Sequence, residues 1–333
     1  MNKLLCLLIV ILLSSCLKQT DQIKRFNVNQ NIFNVQERVK EIRMEDVLIH
    51  AQCALFLAED YLIIGDYNST QKQAYIFNKE NFEYLMSFAD RGPGPREITS
   101  MGQIVYNTTN RKLYISDHGK ECIYSYDIDS VLTDSQYSPT VKMKMNNLLF
   151  PDKYQYINDT LSMGKVIARL GNSEFNVHVG KWNMNTGEIK LMQYEHPGII
   201  KKRISFAASV ENGIYVECYS NYDLMTICNM NGELICNIYG QRWNNFNTKI
   251  MHFFDKVEFC NDKIIASYSG GDYYSDEYYP TKFTVFDTEG NYIKTLETGY
   301  KIVDFCIDKT YNRILMTLDS EMQFAYLDLD GIL

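Results

Sequence analysis

A short signal recurs six times along this chain, at intervals close to fifty residues. Each copy is an Asn or Asp followed by an alternating apolar segment such as Leu62-Ile63-Ile64 or Leu113-Tyr114-Ile115. Such segments are typical of strands that follow tight turns. Repeats of about 40 to 50 residues built only from strands predict a propeller with one blade per repeat. The six polar residues, separated by 50, 49, 53, 50 and 50 positions, are Asp60, Asn110, Asp159, Asn212, Asp262 and Asn312.

A second signal follows each copy and supports the same architecture. It is a strand that ends on Asn or Asp, as in Tyr75-Ile76-Phe77-Asn78. The alternative fold, an irregular β-sandwich, predicts strands every 8 to 12 residues, roughly, without a period of fifty. We therefore expect an all-β, six-bladed β-propeller of four-stranded antiparallel blades. In four copies a glycine follows where a hairpin turn needs positive φ: Gly187, Gly232, Gly290 and Gly331.

Composition fits a single β domain and argues against one class of partner. No linker rich in Pro, Ser or Gly divides the 333 residues, and aromatic residues make up 13%, which suits pleated sheets. We expect one propeller domain over residues 31–333. The formal net charge is −8 and no run of Lys or Arg is present, so nucleic acid is not expected as a partner.

Residues 1–15 predict a lipoprotein signal peptide. Lys3 supplies a positive charge, and the apolar run from Leu4 to Leu13 is too short to span a bilayer. The sequence Leu13-Ser14-Ser15-Cys16 then resembles a bacterial lipobox, so the Cys16 thiol is expected to carry the lipid and to anchor the mature protein to the cell envelope, at its outer membrane. The alternative is an ordinary secretory leader that contains a Cys. Residues 16–30 are polar and predict a flexible tether.

The cysteines form no recognisable framework. Seven of the nine lie in the mature body, and their odd number and irregular spacing match neither a disulfide scaffold nor a CxxC zinc pattern. A single bridge among Cys218, Cys228 and Cys236, on neighbouring strands of one blade, stays open.

Closure of the ring requires a strand from outside the sixth repeat. That repeat supplies strands near Ile302–Ile307, Ile314–Leu318 and Gln323–Leu327, one fewer than a blade needs. The candidates upstream are Ile32–Val35 and Val39–Met44. We predict that this N-terminal segment pairs onto the last blade and supplies its outer strand, because closure removes an exposed edge.

One loop carries a family resemblance. The sequence Asp90-Arg91-Gly92-Pro93-Gly94-Pro95-Arg96-Glu97-Ile98 resembles the Gly-Pro loop after the first complete blade of TolB-like six-bladed propeller lipoproteins of Bacteroides-type bacteria. Here Pro95 and Arg96 displace Glu97 by two positions from the acidic residue of that family. The resemblance implies a six-bladed propeller on the cell envelope. The rigid turn either spaces the first two blades or holds Arg91 and Arg96 at the mouth of the ring.

Propeller geometry predicts which loops could share a site. Loops between the second and third strands of a blade emerge on the same face as loops between blades, and we call this the loop-rich face. The longest insertion there, Gly270–Pro280, has four Tyr and three acids in eleven residues, which suits contact with sugar rings or a protein. The alternative is a loop that folds over its own blade. The candidate ligand-face residues are Arg91, Arg96, Glu97, Asp117, His118, Arg169, Arg242, Trp243, Asp272, Tyr273, Tyr274, Tyr278 and Tyr279.

Catalytic and metal-binding motifs are weak. The five histidines lack HExxH spacing, and no Gly-x-Ser-x-Gly elbow is present. The acids of Gly270–Pro280 lack the ligand alternation of a calcium loop. No catalytic residue, metal or cofactor is therefore predicted.

The favoured function is a non-enzymatic binding or scaffolding lipoprotein that takes an envelope protein or a glycan on the loop-rich face. One alternative is a propeller enzyme, a lactonase or a glycan-active enzyme, with its site at the central channel. The innermost strands are poor in acids, with Glu258 and Asp304 the main exceptions, which argues against it. A second alternative is a purely structural assembly module.

Overall fold

The structure is a computed structural model that describes residues 22–44, 46–134, 136–171, 174–244 and 250–333. Six antiparallel sheets follow one another along these residues and form six blades, so the predicted six-bladed propeller is confirmed. Apart from the outer strand of the sixth blade, the four strands of each blade run in chain order from the innermost one outward. Three short strands precede the first blade, namely β1 (Ile23–Arg25), β2 (Ile32–Asn34) and β3 (Val39–Glu41).

The first three blades occupy residues 53–191. Blade 1 comprises β4 (Cys53–Ala58), β5 (Tyr61–Asp66), β6 (Lys72–Asn78) and β7 (Tyr84–Asp90). Blade 2 comprises β8 (Met101–Asn107), β9 (Lys112–Asp117), β10 (Cys122–Asp127) and β11 (Thr140–Lys144), with the short helix α1 (Ile128–Thr133) after β10. Blade 3 comprises β12 (Leu149–Asn158), β13 (Leu161–Arg169), β14 (Phe175–Trp182) and β15 (Ile189–Leu191).

The last three blades occupy residues 204–328. Blade 4 comprises β16 (Ile204–Ser209), β17 (Ile214–Tyr219), β18 (Leu224–Asn229) and β19 (Leu234–Tyr239). Blade 5 comprises β20 (Met251–Cys260), β21 (Lys263–Asp272), β22 (Lys282–Asp287) and β23 (Tyr292–Glu297), with a 3-10 turn at Asp276–Tyr278. Blade 6 contains β24 (Ile302–Asp308), β25 (Arg313–Leu318) and β26 (Phe324–Asp328).

The recurring Asn or Asp marks the turn between the first and second strands of every blade, as predicted. Asp60 lies between β4 and β5, and Asn312 lies between β24 and β25. Asn312 has a φ of 47°, a left-handed conformation that Asn adopts more readily than most residues. The period of fifty is therefore the period of this turn.

The hydrophobic core lies between neighbouring blades. Val216 and Ile227 of blade 4, for example, pack with Phe254 and Ile264 of blade 5 in one buried cluster. Each strand thus contributes alternate side chains to the contacts on either side of its blade. This stacking holds the six innermost strands around one axis.

The prediction that an N-terminal strand completes the last blade is confirmed. β3 pairs antiparallel with β26 and is the fourth strand of blade 6. The other candidate, Ile32–Val35, does not lie on blade 6. Its strand β2 pairs in parallel with β23 at the outer edge of blade 5. We call residues 22–44 the N-terminal arm, because they extend along the outer edges of blades 4, 5 and 6.

The flexible tether expected for residues 16–30 does not extend over its second half. β1 pairs in parallel with β19 of blade 4, and Phe26 is 5% exposed in the core between blades 4 and 5. The apolar Ile23 and Phe26 interrupt a polar stretch, and burial of an aromatic ring offsets the entropy of ordering the segment. The predicted signal peptide and Cys16 lie outside the described residues.

The seven cysteines of the described residues are all free and buried. The bridge left open among Cys218, Cys228 and Cys236 is therefore not formed. These side chains pack as small apolar groups, and burial raises the pKa of each of the three thiols.

Candidate functional site

The innermost strands of the six blades enclose an axial channel. Its volume is about 760 Å³, within the range of roughly 300 to 1,000 Å³ that is usual for ligand sites. Lining residues extend from Ala54 to Glu59 in blade 1 and from Ile204 to Glu211 in blade 4. The channel therefore follows the innermost strands of blades 1 and 4 over most of their length.

β-Bulges direct charged residues into this channel. The register between β12 and β13 shifts between Pro151 and Tyr154, and the register between β20 and β21 shifts between Phe254 and Val257. A bulge changes the direction of the side chains within it. The residues inside these two shifts are two acid–lysine pairs, Asp152-Lys153 and Asp255-Lys256.

Two of the channel lysines are neutralised by carboxylates. Lys256 Nζ lies 2.9 Å from Asp304 and 3.2 Å from Glu258. Lys165 Nζ lies 3.1 Å from Asp152. Asp304 also accepts a hydrogen bond from the backbone N–H of Leu55 at 2.7 Å, so it joins blade 6 to blade 1.

Lys153 has a different environment. Its ammonium donates to the hydroxyl of Tyr67 at 2.8 Å and lies 5.0 Å from the centre of that ring. Among the described residues no carboxylate lies within 4.0 Å of Lys153 Nζ. Tyr67 belongs to the loop between β5 and β6, so Lys153 is placed at the end of the channel that opens on the loop-rich face.

Asp255 connects the channel to the loop Gly270–Pro280, which we call the tyrosine-rich loop. Its carboxylate lies 3.6 Å from Nε2 of His252, whose ring stacks on that of Tyr278 at 4.4 Å. The Nδ1 of His252 donates to the backbone carbonyl of Tyr278 at 2.8 Å. Burial among protein atoms raises the pKa of Asp255, although 37% of its side chain is accessible from the channel.

The Gly-Pro loop, predicted either to space the blades or to present arginines, is bound within the fold. Glu97 accepts a hydrogen bond from the N–H of Gly94 at 2.6 Å, and a Cβ at Gly92 would lie 2.0 Å from this carboxylate. Lys120 of blade 2 donates to the carbonyl of Glu97 at 2.5 Å. The carboxylate of Glu97 thus stabilises its own loop and is not free to bind a partner.

The two arginines of this loop point to different places. Arg91 donates to the backbone carbonyls of Tyr67 and Ser69, at 2.9 and 3.2 Å. It therefore supports the loop that carries the hydrogen-bond partner of Lys153. Arg96 lines a small cleft beside Asp90 and Tyr126, between blades 1 and 2.

Asp117 and His118 are neighbours in the chain with separate roles. Asp117 is fully buried and accepts hydrogen bonds from the N–H groups of Thr99 and Ser100, both at 2.9 Å. His118 Nε2 lies 3.7 Å from Asp152, and burial lowers the pKa of His118. His118 is therefore close to the charged wall of blade 3, whereas Asp117 holds the loop between blades 1 and 2.

Three further predicted residues make local contacts. Arg169 donates to the carbonyl of Gly171 at 3.2 Å. The backbone N–H of Arg242 donates to Asp223 at 3.0 Å. The Trp243 ring lies 4.9 Å from that of Tyr239 and lines a second cleft of about 460 Å³ beside β1.

The tyrosine-rich loop is partly packed and partly open. Tyr278 is held by His252, while the Tyr273 ring lies 4.9 Å from Tyr278. Tyr273 is 41% exposed and Tyr274 is 82% exposed. Asp272 accepts from the N–H of Tyr274 at 2.8 Å. Tyr279 packs on Tyr278. Part of the loop therefore folds over its own blade, and part of it is exposed for contact with a partner.

Within the described ranges, none of the thirteen predicted ligand-face residues lines the channel. The charged residues of the described chain that do line it are Glu59, Lys153, Lys165, Glu211, Asp255, Lys256, Glu258, Asp304 and Lys309. Of these, Glu258 and Asp304 were expected in the innermost strands. A signal was present in the sequence: an acid followed by lysine within an otherwise apolar innermost strand, at Asp152-Lys153 and again at Asp255-Lys256.

The described part of the chain contains no group of three or more His, Cys, Asp or Glu side chains that could hold a metal ion. None of the helices in these ranges has the length and apolar character needed to cross a bilayer.

The fold and the channel define a six-bladed propeller with an axial cavity lined by charged and apolar side chains. The chain belongs to the DUF5128 family of six-bladed β-propellers, whose model matches residues 43–268. No curated protein matches the chain.

Several solved structures share the fold at low sequence identity. A member of the duf4221 family from Bacteroides vulgatus is 10% identical with a TM-score of 0.56, over 88% of this chain and 98% of that one. A gluconolactonase from Xanthomonas campestris is 12% identical with a TM-score of 0.53, over 83% and 84%. A Bacteroides fragilis protein provisionally described as exported is 10% identical with a TM-score of 0.53, over 89% and 88%. At these identities the likeness concerns the fold alone.

Proposed function

We propose that this protein is an exported, lipid-anchored binding protein of the cell envelope that takes a glycan at the mouth of its axial channel. The observation that carries the proposal is the axial channel of about 760 Å³ with charged side chains in its wall, connected through Asp255 and His252 to the tyrosine-rich loop. Concave sites of this size with a few directed polar groups suit small ligands. A protein partner would instead need a broad surface with a central apolar patch.

The exposed tyrosines supply the second element of such a site. Tyr273 and Tyr274 present rings that are 41% and 82% exposed in the loop whose Tyr278 stacks on His252. Tyrosine offers a large rigid surface with a polar end, at a low cost in conformational entropy. A sugar ring stacked on either tyrosine could extend a further unit into the channel.

Binding is tested with a glycan array, followed by titration of each hit. The double variant Tyr273→Ala/Tyr274→Ala is expected to weaken a saturable signal about tenfold or more, because an aromatic contact contributes about 1 kcal/mol or more. The matched control is Tyr311→Ala, since Tyr311 is 40% exposed in a turn on the opposite face. An array without any saturable signal, or hydrolysis of a glycan or lactone by the wild-type protein, would contradict the proposal.

Anchoring is tested separately. The support for it is the lipobox-like sequence that ends at Cys16, together with a Bacteroides protein of the same fold that is described as exported. Labelling with a fatty-acid probe is expected to mark the wild-type protein in the membrane fraction. Cys16→Ser should lose both the label and the membrane association, and a label that persists in this variant would exclude Cys16 as the attachment site.

A further inference from the structure

The lysines of the channel differ in whether their charge is already balanced. Lys256 is paired with Asp304 and Glu258, and Lys165 is paired with Asp152. Lys153 has no carboxylate within 4.0 Å in the described chain. The fourth lining lysine, Lys309, is also unpaired there, but it follows β24 in a turn at the opposite end of the channel. On the wall formed by blade 3, Lys153 and Lys165 contribute +2 and Asp152 contributes −1, which leaves +1.

His118, which lies beside this wall, adds no charge to it at neutral pH. Burial is the main cause that lowers the pKa of His118 below its usual value, so the imidazole is neutral at pH 7. Its Nε2 lies 3.7 Å from Asp152, too far for a hydrogen bond. One positive charge on this wall is therefore left for a ligand.

The ammonium of Lys153 is held in place before any ligand arrives. It donates to Tyr67, and Arg91 supports the backbone of Tyr67. The bulge at Asp152-Lys153 directs the side chain into the channel, and Gly164 on β13 allows the close approach of the bulge. A positive group positioned in this way binds an anion at a smaller entropic cost than a free surface lysine.

Other channel residues suit hydroxyl groups. Asp255 on blade 5 is accessible from the channel and can accept hydrogen bonds from hydroxyls, or donate one when protonated. Ser205 and Gln155 also line the channel. A single unbalanced ammonium matches a monoanion, since a phosphate carries about two charges at neutral pH and carboxylates line the rest of the channel.

We infer that the ligand is an acidic saccharide whose carboxylate binds Lys153 and whose hydroxyls contact Asp255. This inference rests on the proposed glycan-binding function and specifies the class of glycan. Uronic acids have the required chemistry, with one carboxylate on a hydroxylated ring. Charge-assisted hydrogen bonds of this kind are stronger than those between neutral groups.

The test is calorimetric titration of the purified full chain, in mild detergent, with galacturonic and glucuronic acid oligosaccharides. The neutral oligosaccharides of galactose and glucose and a sugar phosphate serve as comparison ligands. We expect the uronic acids to bind the wild-type protein at least about tenfold more tightly than the neutral sugars. Lys153→Met should remove this preference, with a loss of affinity of about ten- to a hundredfold.

Two further measurements guard against a folding defect. Lys190→Met is the matched control, because Lys190 is exposed on β15 of the same blade, away from the channel; it should bind uronic acids like the wild type. In the wild-type protein, affinity for uronic acids should fall as salt is raised, whereas affinity for neutral sugars should not.

The outcomes separate this inference from the proposed function. Equal binding of neutral and acidic sugars, or unchanged uronic-acid affinity in Lys153→Met, would overturn the inference and leave glycan binding intact. Tighter binding of the sugar phosphate would replace the carboxylate with a phosphate and also overturn it. Absence of binding by every saccharide to a folded wild-type protein would overturn both.

Discussion

Gly164 determines how closely the charged bulge of blade 3 approaches its neighbouring strand. It is paired with Tyr154 across β12 and β13. A Cβ at this position would lie 2.3 Å from the carbonyl oxygen of Lys153 and 2.5 Å from Cα of Tyr154. Because both atoms belong to the backbone, a side-chain rotation cannot relieve the contact.

Gly164→Ala is therefore expected to lower the free energy of unfolding by about 1 to 3 kcal/mol and to weaken ligand binding by displacing Lys153. The matched control is Gly171→Ala, since a Cβ at Gly171 would meet no atom within 4 Å; it should change stability by less than about 0.5 kcal/mol. Urea unfolding measures both. Equal stabilities of the two variants would show that the bulge can shift without cost.

Because the carboxyl group of Asp223 is buried, we expect the free energy of unfolding to depend on pH. Asp223 is 1% exposed, accepts from the N–H of Arg242 at 3.0 Å and from the hydroxyl of Tyr268 at 3.1 Å, and burial raises its pKa to about 6. In the unfolded chain its pKa is about 4. Between these values only the folded protein holds the proton, so a rise in pH destabilises the folded state.

The comparison is between the wild type and Asp223→Asn, which resembles the protonated acid. The stability of the wild type relative to this variant should fall by about 3 kcal/mol between pH 4 and pH 6, and should stay level above pH 6. Urea unfolding at several pH values checks this, because the other titrating groups cancel in the difference. Parallel stability curves over this range would contradict the assignment of a raised pKa to Asp223.

At the scale of single elements, the N-terminal arm depends on one aromatic side chain. Phe26 lies between blades 4 and 5, with ring centres 5.3 Å from Phe286 and 6.1 Å from Phe254. Phe26→Ala is expected to lower the free energy of unfolding by about 3 to 5 kcal/mol. The control is Phe33→Ala on β2, which is 43% exposed and should cost less than about 1 kcal/mol. Denaturant unfolding measures the free energy of unfolding of both variants. An effect of Phe26→Ala as small as that of Phe33→Ala would mean that the arm is not anchored between blades 4 and 5.

The hairpins could be predicted from the sequence, whereas the charged lining of the channel was indicated only by the acid–lysine pairs Asp152-Lys153 and Asp255-Lys256. Each hairpin depends on a local turn residue such as Asp60 or Asn312, so its signal lies within a few adjacent residues. The exposure of Lys153 and Asp255 depends on β-bulges. A bulge inserts an extra residue and changes the direction of the side chains within it, so simple alternation does not show which way these two side chains point. The innermost strands were therefore expected to be poor in acids, although Asp255 also lies in the wall of the axial channel.

The arm was only partly predictable for a different physical reason. β3 was expected because the last blade lacked a strand. The sequence predicts a flexible tether where β1 and Phe26 lie. Their partners, such as Phe254 and Phe286, are distant in sequence, so no local pattern indicates the contact. Because β1 pairs with β19, deletion of residues 17–25 is expected to lower the free energy of unfolding.

At the scale of the whole molecule, ring closure depends on the arm. β3 completes blade 6, and residues on either side of it are buried, with Val35 at 0% and Ile42 at 6% exposure. Deletion of residues 31–45 should lower the free energy of unfolding by at least about 3 kcal/mol, from the burial of these two side chains alone. Urea unfolding of the deleted and full chains measures the loss. A stability equal to that of the full chain would show that the ring closes without β3.

The path of the arm also affects how the chain can fold while it is being made. Lys24 and Asn291 are joined by a hydrogen bond across 267 positions of sequence, so the arm leaves the ribosome long before its partners on blades 4, 5 and 6 exist. Contacts this distant in sequence form slowly. Until blades 4, 5 and 6 are present to receive them, the three short strands of the arm are open to pairing with other chains, so the unfinished propeller is exposed to aggregation.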